Sequence, residues 1–208
     1  MNLQLEGDPH DRVVVIMNQE EQGKLQVTKV TQPPPVLYKV QDGLYDGNGV
    51  FFNLRSLNRF SLSDQSKGTI YLGDSPYTAL KESFQGEEFI EPGDLERYYM
   101  AEIEISHPLK VIDLKLLAQH LNVSVADLMG PSMIYPQTQI LATAMSKHVD
   151  GCEYLSRHTG DPCLVLWSDK TDGGGMLSTK SVTPLSCYQY KGKTAKQILE
   201  EKCNIRIM

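Results

Sequence analysis

The stretch from Gly68 to Ser83, GTIYLGDSPYTALKES, leaves this chain little conformational choice. Residues 68–72 are rich in β-branched, aromatic and apolar types and read as a strand. Gly73, Asp74 and Ser75 break that pattern. Ser75 is a helix-capping residue and Pro76 suits a first helical turn, so a helix starts there. Tyr77, Leu80 and Phe84 mark its packing stripe, and Glu82 projects from roughly the opposite side with Thr78 and Ala79. Tyr71 therefore ends a strand that opens directly into the helix carrying Glu82.

The rest of the chain alternates short strands and helices. VLYKV at 36–40 reads as a strand, and the Gly-, Asn- and Ser-rich stretch 42–66 as a long loop with short strands. Residues 86–94 read as an acidic, solvated loop. Tyr98 to Ile105 and residues 110–114 read as strands, with Asp113 capping a helix built on Leu114, Leu117, Ala118 and Leu121. Ser124 and Asp127 form a capping box, and Pro136 opens a helix to about His148. Cys152 to Ser156 and Cys163 to Trp167 are strands separated by the turn HTGDP. DGGG at 172–175 reads as a flexible tip, not a phosphate-cradling loop, because no Lys-Ser/Thr and no helix start follows it. A strand from Val182 to Tyr190 and a helix from about Thr194 to Lys202 finish the chain. The fold class is α+β, a mostly antiparallel sheet with flanking helices.

Residues 1–35 read as a β-rich N-terminal extension to a main domain at 36–208. Val13 to Met17 and Lys24 to Val30 suggest a hairpin joined by NQEEQG, and Pro33-Pro34-Pro35 a stiff connector. The extension is expected to edge the sheet, shield a cleft or build a homo-oligomer.

With 20 Lys and Arg against 26 Asp and Glu, the net charge of −6 argues against direct nucleic-acid binding. No apolar run is long enough to span a membrane, and the acidic, polar start is unlike a signal peptide. The four cysteines are scattered and never form CxxC, which reads as reduced thiols of a cytoplasmic protein. The five histidines show no metal-ligand spacing, so no metal is expected.

Four residues beside secondary-structure breaks, Arg59, Tyr71, Glu82 and Ser156, supply a cation, an aromatic hydroxyl, a carboxylate and a small hydroxyl. From Val36 to about Ser168 the chain resembles the RES domain family. The matching pieces are LYKV at 37–40, the arginine of NRFS at 58–61, GTIYLGDSPYTALKES at 68–83 and DGCEYLSRH at 150–158. Tyr71, Pro76, Ala79 and Glu82 fall in register with the family's Leu-Tyr-x-x-x-x-Pro-x-x-Ala-x-x-Glu. The chain departs from the family at Lys39, where an arginine is usual, and around Arg59, where Gly-Arg-Trp-Asn is replaced by Asn58-Arg59-Phe60-Ser61.

The resemblance implies a split-sheet fold like that of the ADP-ribosyltransferase toxins. It implies an enzyme that consumes NAD+ as substrate, without a cofactor, releasing nicotinamide by hydrolysis or phosphorolysis. The implied partner is a small DNA-binding antitoxin. Glu82 would face the ribose as a fixed negative charge, and Arg59 would grip pyrophosphate through its planar donors. Lys39 is a second, weaker phosphate ligand. Tyr71 would stack on nicotinamide, Tyr38 would sit in the core or line the pocket, and Ser156 would bond the ligand or orient Glu82. Arg157 and His158 are further neighbours. Two alternatives share these residues: a mono-ADP-ribosyltransferase acting on a protein, and a catalytically inactive nucleotide- or partner-binding module.

Overall fold

A computed structural model describes residues 7–31, 36–45 and 48–208. In chain order its elements are α1 (Pro9–Glu21), β1 (Thr28–Thr31), β2 (Val36–Asp42), β3 (Gly68–Gly73), α2 (Pro76–Ser83), β4 (Phe89–Ile90), α3 (Pro92–Arg97), β5 (Tyr98–Ile105) and β6 (Leu109–Asp113). There follow α4 (Leu114–Leu121), α5 (Val125–Leu128), α6 (Tyr135–Met145), β7 (Gly151–Leu155), β8 (Pro162–Ser168) and β9 (Leu177–Pro184). The short hairpin β10 (Gln189–Tyr190) and β11 (Lys193–Thr194), α7 (Ala195–Ile198) and β12 (Arg206–Ile207) complete the chain.

Eight strands form one sheet in the order β1-β6-β7-β8-β3-β2-β5-β9. Only β6 and β7 run parallel, because three helices cross over between them. The expected mostly antiparallel α+β architecture is therefore present. The sheet parts between β2 and β3, which pair only at Tyr38 opposite Gly73. Their other edges are held elsewhere, β3 by β8 from Gly68 to Gly73 and β2 by β5 from Val36 to Asp42. Gly73 allows close packing at this junction: a Cβ there would lie 3.0 Å from the Ala79 backbone nitrogen in α2.

Three apolar clusters hold the sheet. α1, α4 and α6 cover one side through Val13, Met17, Leu117, Leu141 and Met145 against Trp167 and Val165. α2 and α7 cover β2 and β5 through Leu80, Ala195 and Ile198 against Tyr38 and Met100. On the opposite face Leu37, Ile70, Ile103, Val111 and Leu177 meet beneath Phe52. That inner cluster joins β6 to β9 from near opposite ends of the sheet, so the sheet curls strongly on itself.

Several local expectations change. The 13–17 run is helical and no hairpin forms there. Asp8 accepts from the His10 backbone N–H and Pro9 starts the helix, so Val13, Ile16 and Met17 line one buried face. Helical spacing and a good cap outweigh the β-propensity of the valines. After the turn, Thr28–Thr31 pairs with β6 at the sheet edge. The proline triplet lies outside the described residues. The acidic stretch 86–94 is not all loop: Pro92 opens α3, with Glu91 and Asp94 as a capping box. DGGG forms a single 3₁₀ turn at Gly173–Gly175. Asp172 Oδ1 accepts from the Gly174 N–H, and Gly173, at φ 74°, packs where a Cβ would meet the Phe52 ring. The strand expected at 182–190 runs instead from Leu177 to Pro184. Among the described residues no helix is long and apolar enough to cross a membrane, and all four cysteines are free.

Met17 is fully buried between α1 and the main cluster. Met17→Ala is expected to cost about 2–5 kcal/mol of unfolding free energy, measured by urea denaturation. A change near zero would mean that α1 does not contribute to the core.

Candidate functional site

Where β2 and β3 part, a cleft of about 460 Å³ opens between the two helical groups. β2 contributes Tyr38 to Asp42, β3 contributes Thr69 to Gly73, and α2 contributes Ala79, Glu82 and Ser83. The irregular loop before β3 adds Asn58, Arg59 and Phe60, and Tyr135, Tyr154 and Arg157 close the wall.

Arg59 sits on a segment without regular structure, so other elements must fix it. The Phe60 N–H donates to the Tyr71 hydroxyl at 2.9 Å, and Trp167 Nε1–H donates to the Phe60 carbonyl at 2.8 Å. Thr138 Oγ1 donates to the Arg59 carbonyl at 2.7 Å, and Gln139 Nε2 donates to the carbonyls of Leu57 and Asn58. Arg59 is only 8 % exposed. The guanidinium Nη1 donates to the carbonyls of Leu128 and Gly130, and its Cζ lies 4.8 Å from the Tyr135 ring centroid. Burial lowers its proton affinity, opposed by Tyr135. Among the described residues it pairs with no carboxylate. A buried guanidinium held this firmly and left without a counter-charge suits an anionic ligand.

Glu82 reaches the cleft from α2, which follows β3 with Ser75 capping Thr78 and Pro76 in the first turn. Ser156 Oγ lies 2.5 Å from Glu82 Oε1. The direction of that bond follows from its surroundings. Ser156 Oγ accepts backbone N–H groups from His158 and Thr159, each at 3.1 Å, so its one proton goes to the carboxylate. Ser156 is 2 % exposed and does not itself line the cleft. Its hydroxyl is committed to the Glu82 carboxylate.

The Tyr71 hydroxyl, expected to face a ligand, holds the loop that carries Arg59, and burial keeps it protonated by raising its pKa. Tyr71 still lines the cleft and packs against the main cluster. Tyr38 lines the cleft and also packs edge-on against Tyr190 at 5.9 Å. Burial pushes its hydroxyl up to about 12. Lys39 is half-buried in the cleft, where burial lowers its ammonium to about 8. Arg157 lines the wall and donates to His158 Nε2. Lys39, Arg59 and Arg157 thus bring three cations to one cleft, and none has a carboxylate partner among the described residues. Asp42 is neutralised by Arg97, which donates to it through Nε at 2.8 Å.

The sequence reading did not find Gln41, Thr69, Tyr135 or Tyr154, all on the cleft wall. Gln41 and Thr69 look like ordinary strand polar residues. Tyr135 meets Arg59 only through the packing of α6, and no local pattern signals that contact.

These features define an α+β protein with a cationic, carboxylate-edged cleft at a parted sheet. Its sequence matches the RES domain over residues 37–185, and the chain belongs to that family. Among solved structures it is similar to a chain in the crystal structure of the M. tuberculosis MbcT–MbcA toxin–antitoxin complex. The TM-score is 0.62 at 16% identity, covering 95% of this chain and 98% of that one. No curated protein matches its sequence.

Ser156→Ala removes the donor to Glu82 and the acceptor of two partly buried N–H groups. It is expected to lower stability by about 1–3 kcal/mol in chemical denaturation. Unchanged stability would mean that the Ser156 hydroxyl is not committed as described.

Proposed function

We propose that this chain is the toxin of a toxin–antitoxin pair and degrades NAD+ by breaking the nicotinamide–ribose bond. The observation that carries the reading is the Ser156-oriented carboxylate of Glu82 on the wall of a cleft whose three cations lack partners. NAD+ has complementary needs: two phosphate charges to neutralise, and a sugar carbon that becomes cationic as its base leaves. Membership of the RES family and the fold shared with a chain of a toxin–antitoxin complex support the toxin role. The parted sheet supports the ADP-ribosyltransferase-like architecture. The partner in this reading is a small DNA-binding antitoxin.

In the reaction the C–N bond electrons leave with nicotinamide, whose ring charge is cancelled. The leaving group is neutral and needs no general acid. Positive charge develops on the ribose carbon and ring oxygen, where the Glu82 carboxylate stabilises it. Ser156 keeps that carboxylate in one rotamer. Arg59, with Lys39 and Arg157, holds the pyrophosphate so that the sugar carbon faces Glu82. Water or inorganic phosphate then adds through oxygen, and a proton released from it passes to solvent. Tyr71 acts by fixing the Arg59 loop.

Incubated with NAD+, the chain is expected to release nicotinamide together with ADP-ribose, or with its 1″-phosphate when phosphate is the acceptor. Glu82→Gln is expected to lower the rate by roughly 10²–10³-fold while its circular-dichroism melt stays that of the wild type. Absence of nicotinamide release by the wild type would overturn the activity and leave an inactive binding module. ADP-ribose found on a protein acceptor would make the chain a transferase.

Lys39 adds a pH dependence. Its ammonium is held near 8, so it is charged below that pH and neutral above it. Its grip on phosphate is present below about pH 8 and is lost as pH rises through that value. The affinity for ADP-ribose, measured by calorimetry, is expected to fall across this range, and Lys39→Met is expected to remove the inflection.

A further inference from the structure

The bond-breaking scheme leaves one part of the cleft unused. Gln41 lines it and is 5 % exposed, yet neither Oε1 nor Nε2 has a hydrogen-bond partner among the described residues. Thr69, 4 % exposed on β3, also lines the cleft with an unpartnered Oγ1, but it lies on the same face as Tyr71 and so on the other face of the sheet from Gln41. Buried polar groups are almost always satisfied, and an amide left unpaired at both ends costs stability. Leu37, two strand turns before it on the same side of β2, belongs to the inner cluster, so an apolar side chain at position 41 would suit the surroundings better. The polarity at Gln41 therefore serves something that enters the cleft.

The chemistry of that partner follows from the amide. A carboxamide offers an acceptor beside a donor in one plane. An anion would use only the donor and a cation only the acceptor. A planar edge carrying a donor next to an acceptor uses both. Lys39, two residues earlier on the same side of β2, lies about 7 Å back along the strand, so a charged group and a planar group of one ligand can be served in succession. In NAD+ two planar groups carry such an edge, the carboxamide of nicotinamide and the amino edge of adenine, which glutamine pairs bidentately.

We propose that Gln41 is a specificity-determining residue of the cleft that binds a planar donor–acceptor edge of the nucleotide. The proposal rests on the NAD+ reading for the identity of the ligand. It does not depend on bond cleavage.

The test is calorimetric titration of the wild type and Gln41→Met with nicotinamide and with AMP separately. Methionine keeps the length of the side chain and removes both polar atoms. One of the two ligands is expected to bind the variant roughly tenfold or more weakly, with the other unchanged. Selective loss of AMP names adenine as the bound edge, and selective loss of nicotinamide names the carboxamide. The melting temperature of Gln41→Met is expected to equal or exceed that of the wild type, because an unpaired buried amide has been removed. A purely structural glutamine would lower it. The proposal is overturned if both ligands bind the variant as tightly as the wild type, if both weaken equally, if the wild type binds neither, or if the variant melts lower. NAD+ turnover measured in parallel keeps the two readings apart. Wild-type KM and rate in Gln41→Met would sink the subsite and leave the activity. Gln41-dependent binding without nicotinamide release would do the reverse.

Discussion

The two parts of the curled sheet are joined in backbone pairing at a single position, Tyr38 opposite Gly73. Had β2 and β3 paired along their length, their backbone groups would have closed the gap and no cleft would exist. The gap persists because each strand satisfies its other edge with a full-length partner, and because separate helical groups pack on either side of the opening. Side chains from both faces of the sheet can then reach one cavity. β2 supplies Lys39 and Gln41 on one side and Tyr38 on the other.

Charge placement within that cleft follows from how the carriers are fixed. Arg59 lies in irregular chain, yet side chains of β3, β8 and α6 hydrogen-bond the backbone around it. Rigidity comes here from side chain-to-backbone bonds and not from a ladder. The guanidinium stays buried without a carboxylate because two main-chain carbonyls and the Tyr135 ring lessen the cost of desolvation. Glu82 is set differently, by a regular helix and one buried hydroxyl. Among the described residues Glu82 forms no ion pair with Lys39, Arg59 or Arg157, so charges of both signs line the cleft without neutralising each other.

Much of the fold was legible in the sequence where local chemistry is decisive. Ser75 with Pro76, Asp113 and the Ser124–Asp127 box each begin a helix where their side chains can cap it. The strand Tyr98–Ile105 follows its own apolar alternation. The N-terminal segment was misread because valine-rich runs look like strands until the positions that become buried are known. The acidic stretch 86–94 reads as loop because its charges suit solvent, and only the Asp94 side chain's return to the Glu91 backbone marks the helix that Pro92 opens. In the candidate site, register along GTIYLGDSPYTALKES places Tyr71 and Glu82, while Gln41, Tyr135 and Tyr154 depend on contacts across 30 or more residues and leave no local pattern.

By itself, then, the order of residues determined the capped helices, the alternating strands, the sign of the net charge and the chemical types available for a site. Those properties arise within a few residues of chain, where propensity and capping act. Only the tertiary structure decided that the sheet would part beside Gly73, that the Ser156 proton would point at Glu82, and that Gln41 would be buried without a partner. Each of those outcomes needs groups far apart in sequence to exclude water from one another, and burial is a property of the packed whole.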